Sequence, residues 1–169
     1  MFRRLAALSL LSVSVLAAQA APASPRDTAR ATIAGASVMV DYGRPSMKGR
    51  AIWGGLVPYG QVWRLGANAA TTLVTEKALV ADSTTIPAGK YTLYLLPTEQ
   101  GAELIVNKQT GQWGTVYDAK QDLARLKLTK SAAAAPVEKF AITIAAKGNG
   151  ATMSFAWDKT EYHLAVTAK

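Results

Sequence analysis

The chain has 169 residues, half of them apolar, with no Cys, one His and a formal net charge of +8. The lack of Cys excludes a disulfide framework, a thiol nucleophile, a thiolate metal site and the lipid-modified cysteine of a bacterial lipoprotein. The positive charge comes without a Lys/Arg block, a basic helix or a nucleic-acid motif, so no nucleic-acid partner is expected.

Met1-Phe2-Arg3-Arg4 is a short basic start, residues 5–18 are apolar apart from Ser9, Ser12 and Ser14, and Ala18-Gln19-Ala20 has the small-x-small form that signal peptidase accepts. Residues 1–20 therefore read as a secretory signal peptide cleaved after Ala20, which implies a periplasmic or secreted protein. The apolar run is shorter than the ~20 residues a membrane helix needs, and Pro22 and Pro25 follow at once, so no transmembrane span is expected after its removal. Setting aside Arg3 and Arg4 lowers the net charge to +6. That balance favours anionic partners such as acidic polysaccharide, phosphate-bearing groups or a membrane surface. Residues 21–27 form a flexible lead, and residues 28–169 are long enough for one domain with its own core.

From residue 28 the pattern is strand-like. Residues 28–33 and 37–42 flank a tight turn at Ala34-Gly35-Ala36. In the second run Val38, Val40 and Tyr42 share one face, Met39 and Asp41 the other. Short strands are predicted at 71–74 and 78–80. Pro87-Ala88-Gly89 is turn chemistry before a strong strand at 90–96, and residues 101–108 supply its antiparallel neighbour. In residues 122–130, Ala124, Leu126 and Leu128 alternate with Leu123, Arg125, Lys127 and Thr129. Asp118 and Asp122 are candidate caps for a helical turn at its start. Residues 131–136 (SAAAAP) read as a linker. Residues 137–147, 151–158 and 159–168 read as a three-strand meander with a hairpin turn at Lys147-Gly148-Asn149-Gly150. Phe140, Ile142 and Ile144 share a face, as do Met153, Phe155 and Trp157, and then Tyr162, Leu164 and Val166. Eight or nine short strands without a long helical run predict an all-β protein: a single antiparallel β-sandwich, jelly-roll-like, with one long Gly/Trp/Arg-rich loop.

That loop, residues 44–71, holds three Arg, one Lys, two Trp, one Tyr, five Gly and two Pro. No acid occurs between Asp41 and Glu76. Guanidinium groups clamp carboxylate, sulfate or phosphate in pairs of hydrogen bonds. Aromatic faces stack on sugar rings or cations. The same residues also suit an anchoring role: Trp53, Leu56, Val57 and Trp63 plugging the end of the core, and Arg44, Arg50 and Arg64 pairing with acids such as Asp41, Asp118 or Asp122. Trp53 and Trp63 fit the core better, while Lys48, Arg50 and Tyr59 fit an exposed position. Trp113 reads as core packing or as a second edge of the same patch. The candidate ligand-binding set is Arg44, Lys48, Arg50, Trp53, Tyr59, Trp63, Arg64, Asn68 and Trp113.

The order and spacing of VDYGRPSMKGRAIWGGLVPYGQVWRLGANAATT, IPAGKYTLYLLP, NKQTGQWGTVYDAKQDLARLKL and PVEKFAITI resemble the bacterial domain family DUF2911, over most of residues 30–166. The resemblance implies a secreted or periplasmic β-rich domain and carries no activity with it. The family's Arg-Pro-Ser falls on Arg44, Pro45 and Ser46, its Lys-Gly-Arg on Lys48, Gly49 and Arg50, its Val-Trp-Arg on Val62, Trp63 and Arg64, and its Gly-Ala-Asn on Gly66, Ala67 and Asn68. Where many relatives carry an acid before Ala-Thr, this chain has Ala69.

Catalytic chemistry has thin material here. There is no G-x-S-x-G, and His163 lies in a period-2 strand context, a half-exposed sheet residue with Glu161 on the same face. Asp118 and Asp122 lack the spacing of a calcium loop and fit turn and capping roles. No catalytic residue, metal or cofactor is assigned. The leading expectation is a non-enzymatic binder of an anionic or carbohydrate ligand of the cell envelope. The alternatives are an envelope hydrolase or lyase using His163 or carboxylates near the arginine loop, and a structural or assembly protein.

Overall fold

The structure, a computed structural model, describes residues 23–169. The signal peptide expected at residues 1–20 lies outside them. The chain forms β1 (Arg26–Ile33), β2 (Ala36–Gly43), β3 (Thr71–Thr75), β4 (Leu79–Ala81), β5 (Thr84–Ile86), β6 (Gly89–Pro97), β7 (Ala102–Asn107), a 3-10 turn (Ala119–Gln121), β8 (Asp122–Lys147) and β9 (Gly150–Ala168). Every pairing between strands is antiparallel, in the order β1-β2-β3-β6-β7-β8-β9-β4-β5. The sheet is not closed; β1 and β5 are its two edges. The fold is the expected all-β sandwich.

The two layers are joined by one long strand. The start of β8 pairs with β7, ending at Ala102↔Leu128, and the rest pairs with β9 from Thr129↔His163 to Lys147↔Gly150. Apolar residues at period two from both layers meet between them: Val38, Val40, Leu93, Leu95, Leu126, Leu128, Phe140, Phe155 and Trp157 are all buried. This burial is the dominant stabilisation, at roughly 25 cal/mol per Å² of apolar surface removed from water.

Three boundaries differ from the sequence reading. First, Arg26 and Asp27 are not flexible lead; they pair with Gly43 and Tyr42 at the start of β1. Second, residues 131–136 are not a linker. They continue β8 through a bulge, because the register passes from Ala132↔Thr160 directly to Val137↔Asp158. Pro136 lies inside that bulge, where its missing N–H removes no ladder hydrogen bond. Third, residues 151–168 are one strand rather than two. Asp158 adopts φ +54°. One such residue shifts the side-chain parity, so the buried set passes from Met153, Phe155 and Trp157 to Tyr162, Leu164 and Val166 without a chain reversal. β5 had no counterpart in the sequence reading. It is three residues long and pairs with β4 alone.

Candidate functional site

The segment between β2 and β3 is fastened at several points. Phe140 donates to the Pro45 carbonyl (2.9 Å) and Met47 to the Glu138 carbonyl (2.8 Å), so residues 45–47 ride along β8. Ile52 and Val57 are fully buried and close a turn through Val57 N–H to Ile52 O at 2.8 Å. Trp63 exchanges two backbone hydrogen bonds with Leu95 of β6, at 2.7 and 2.8 Å. Leu65 is buried, and its carbonyl accepts from the Thr71 hydroxyl at 2.7 Å.

The loop between β7 and β8 runs beside it. Gly114 N–H donates to the Asn68 carbonyl (3.0 Å), and Ala69 bridges Trp113. Asn107, fully buried, holds the base of this second loop. Its amide donates to the Asp118 carbonyl (2.9 Å) and Asp122 Oδ1 (2.8 Å), and its Oδ1 accepts from Gln109 N–H (3.0 Å). Asp118 caps the 3-10 turn through Lys120 N–H, so both aspartates serve the turn, as expected from their spacing.

Between the two loops lies an open cleft of about 400 Å³. From the first loop it takes Arg50, Leu56, Val62, Trp63, Arg64 and Asn68; from the second, Gly114, Thr115 and Tyr117; Ser24, Tyr94 and Trp157 contribute as well. None of its lining residues is Asp, Glu or His. The phenols that line it are neutral donors and acceptors. Burial, then the hydrogen bond to Asp122, pushes the Tyr117 hydroxyl up to about 12, and burial raises Tyr94. Tyr94 donates to the Val116 carbonyl (2.5 Å) and Tyr117 to Asp122 Oδ2 (2.6 Å).

The three loop arginines have different fates. Arg44 is engaged by the protein's own groups: Nη1 meets Asp27 Oδ2 at 3.0 Å and Nε donates to the Phe140 carbonyl at 3.0 Å. Its partner is Asp27, not the Asp41 anticipated from sequence, because Asp41 already pairs with Arg26. Arg50 folds back on its own turn, with Nε on the Met47 carbonyl (2.9 Å) and Nη2 on the Ser46 carbonyl (2.7 Å). Arg64 donates from Nε to the Gly66 carbonyl at 3.3 Å. Among the described residues neither Arg50 nor Arg64 has a carboxylate within ion-pairing distance. Of the other two anticipated partners, Asp122 is taken by Arg125 at 3.0 Å and Asp118 caps the 3-10 turn.

The aromatic residues divide differently from the cationic ones. Trp53 donates from Nε1 to the Trp157 carbonyl (3.1 Å) and packs edge-on to Tyr162 with ring centres 5.2 Å apart. Trp63 stacks on Trp157 at 5.5 Å and 18°, and makes T-shaped contacts with Phe140 and Trp53. Both are the plugs expected of them, though Trp63 also lines the cleft. Tyr59 and Lys48 are exposed as expected, but neither lines the cleft. Trp113 is 55% exposed, so core packing is not its role; it stands outside the cleft, on the loop whose Gly114 and Thr115 line it.

Residues 24–166 match the family described as Protein of unknown function (DUF2911). This chain belongs to that family. No curated protein and no solved structure matches it. Among the residues described for this DUF2911 protein, no helix is long and apolar enough to cross a membrane, and no group of three or more His, Cys, Asp or Glu is placed to hold a metal ion.

His163 lies apart from the cleft lining, on the opposite face of β9 from Tyr162 and Leu164. Its Nε2 is 2.8 Å from the Ser131 hydroxyl, its Nδ1 is 2.9 Å from the Ser154 hydroxyl, and Glu161 is 4.0 Å away. This is the half-exposed sheet pair foreseen from alternation. Sequence reasoning missed Tyr94, Gly114, Thr115 and Tyr117 as cleft residues. The signal was present in the QWGTVY stretch, where only Trp113 was singled out.

Proposed function

We propose that this DUF2911 protein is an exported β-sandwich module that binds an anionic ligand of the cell envelope in the cleft between residues 50–68 and 114–117. One observation carries the reading: Arg50 and Arg64 line the same open cleft, no acidic residue lines it, and no carboxylate among the described residues pairs with either guanidinium. Two like charges held together without a counter-ion repel, and an external anion relieves that cost. The small-x-small leader supports the exported part of the reading. A binding role is favoured over the hydrolase or lyase alternative because that chemistry needs His163 or carboxylates converging on these arginines, and the cleft lining has neither.

The test uses intrinsic tryptophan emission, to which Trp63 and Trp157 in the cleft lining contribute. Acidic and neutral fragments of envelope polysaccharide are titrated at low and high salt while tryptophan emission is followed. An acidic fragment is expected to shift the signal, with affinity falling as salt rises. In the Arg50→Gln/Arg64→Gln double variant the response is expected to vanish. A response of equal size in that variant, or none in the wild type, refutes the reading.

A further inference from the structure

The internal hydrogen bonds of the two arginines leave a definite set of donors for a ligand, and that set constrains the ligand's chemistry. Arg64 is held through Nε by the Gly66 carbonyl, so both of its terminal nitrogens remain for an incoming group. Together they form an end-on fork that matches two coplanar oxygens. Arg50 has Nε and Nη2 tied to the Met47 and Ser46 carbonyls, which leaves Nη1 as its main outward donor. The cleft thus offers one two-pronged clamp and one single-pronged donor, a small set that the two oxygens of a carboxylate can use in full, whereas a phosphate would leave oxygens without a guanidinium partner.

The other lining groups complete the description. Asn68 and Thr115 are exposed and neutral, and each can both donate and accept, as a ligand hydroxyl requires. Leu56 and Val62, 44% and 36% exposed, offer aliphatic surface of the kind that covers C–H faces. Trp63 is half-buried with one face covered by Trp157, so it offers a ligand only part of its ring. A volume of about 400 Å³ is at the small end of the roughly 300–1,000 Å³ typical of small-molecule sites.

We infer that the ligand presents a carboxylate to the fork of Arg64 and hydroxyls to Asn68 and Thr115: a hydroxylated carboxylic acid about one or two sugar rings in size, the chemistry of a uronic acid. This rests on the anion-binding function proposed above and narrows it. Arg64 aligns the carboxylate plane, Arg50 adds the second positive charge, and Leu56 and Val62 cover the ring's apolar face.

Isothermal titration at low salt with D-glucuronate, D-glucose, acetate and inorganic phosphate tests it on the intact protein. Glucuronate is expected to bind more tightly than each of the other three. Arg64→Lys keeps the charge but loses the fork, and is expected to weaken glucuronate and acetate alike by on the order of tenfold. Asn68→Ala is expected to narrow the gap between glucuronate and acetate, and Arg50→Gln, which removes the second positive charge, is expected to weaken all three anions. Phosphate binding more tightly than glucuronate overturns the carboxylate assignment and leaves the anion-binding function standing. Acetate matching glucuronate overturns the hydroxyl assignment alone. No binding of any of the three anions overturns both.

Discussion

Replacing Gly43 with Ala tests how the fold holds the cleft. A Cβ on Gly43 would sit 2.2 Å from the Ala67 carbonyl oxygen and about 3 Å from that residue's backbone C and N. Real Cβ contacts do not fall below 3.0 Å, so β2 and the 65–68 segment must part by about 0.8 Å. The segment has little room to move. Thr71 holds the Leu65 carbonyl, Arg26 reaches the Ala69 and Ala70 carbonyls, and Gly114 holds Asn68. Overpacking of this kind costs roughly 1–3 kcal/mol, and an immovable backbone places it in the upper half. The stiffer unfolded chain returns about 0.4–1 kcal/mol, for a net loss near 1.5–2 kcal/mol. Urea unfolding followed by tryptophan emission should show a midpoint about 1 M lower with an unchanged slope. The same variant should bind acidic ligand more weakly, because Arg64 and Asn68 sit on the displaced segment. Gly35→Ala is the control. Nothing lies within 4 Å of its added Cβ, but φ is +75°, so its cost is purely local, about 1 kcal/mol, and ligand binding is untouched. A loss under about 0.5 kcal/mol for Gly43→Ala, or a loss with ligand affinity unchanged, would refute the coupling between sheet and cleft.

Three further outcomes follow from the geometry. The β1–β2 turn holds Ala34 at φ +49° beside Gly35 at +75°, both in the left-handed region; Ala34→Asn gives the favoured Asn-Gly pair and should raise stability by about 0.5–1 kcal/mol, read as a higher urea midpoint. Asn107→Leu removes three hydrogen bonds at a buried position and leaves the 108–118 loop without its tie, so it should cost about 2–4 kcal/mol and speed proteolysis of that loop at Lys108 and Lys120. Alkaline stability reports the buried phenols. Tyr162 is pushed up to about 12 by burial and by nearby Tyr59, and Tyr117 to about 12 by burial and its bond to Asp122. A folded-state value above the unfolded 10 means their contribution is intact below pH 10 and is lost as pH rises through about 12. Tyrosinate absorbance and unfolding should therefore rise together between those limits, and full tyrosine ionisation below pH 11 in the folded protein would contradict the burial.

The layout of strands was legible because period-two alternation is a local property. Val38-Val40-Tyr42, Leu126-Leu128 and Met153-Phe155-Trp157 each declared a buried face, and each is buried. What stayed hidden were the places where alternation slips. Asp158 at φ +54° changes parity within one strand, and a parity change reads in sequence like a turn between two. Pro136 likewise reads as a break, yet it occupies a bulge where no N–H is needed. β5 is too short to show a period at all.

The site was legible only as a segment, for a physical reason. Arg44, Arg50 and Arg64 share a loop and an acid-free neighbourhood in sequence, and nothing local separates them. Their roles are assigned by chain pairing elsewhere. β1 against β2 brings Asp27 to Arg44 and Arg26 to Asp41, which removes two carboxylates from reach. The bulge between Val106 and Asn107 and the tie of Asn107 to Asp118 and Asp122 fix a third acid, Asp122, on Tyr117 and Arg125. With those carboxylates engaged, Arg50 and Arg64 are left facing the same opening as uncompensated charges. The aromatic residues follow the reverse logic. Trp53 and Trp63 are drawn into a ring cluster with Phe140, Trp157 and Tyr162 that seals the end of the sandwich, and this cluster fixes Trp63 and therefore its neighbour Arg64. A segment that looked like an aromatic and cationic ligand surface is thus a division of labour: the rings anchor the loop, and the loop places two guanidinium groups in the lining of one cleft. On the proposed anion-binding reading this anchoring matters, since a preformed pair of charges gives up little freedom when an anion arrives.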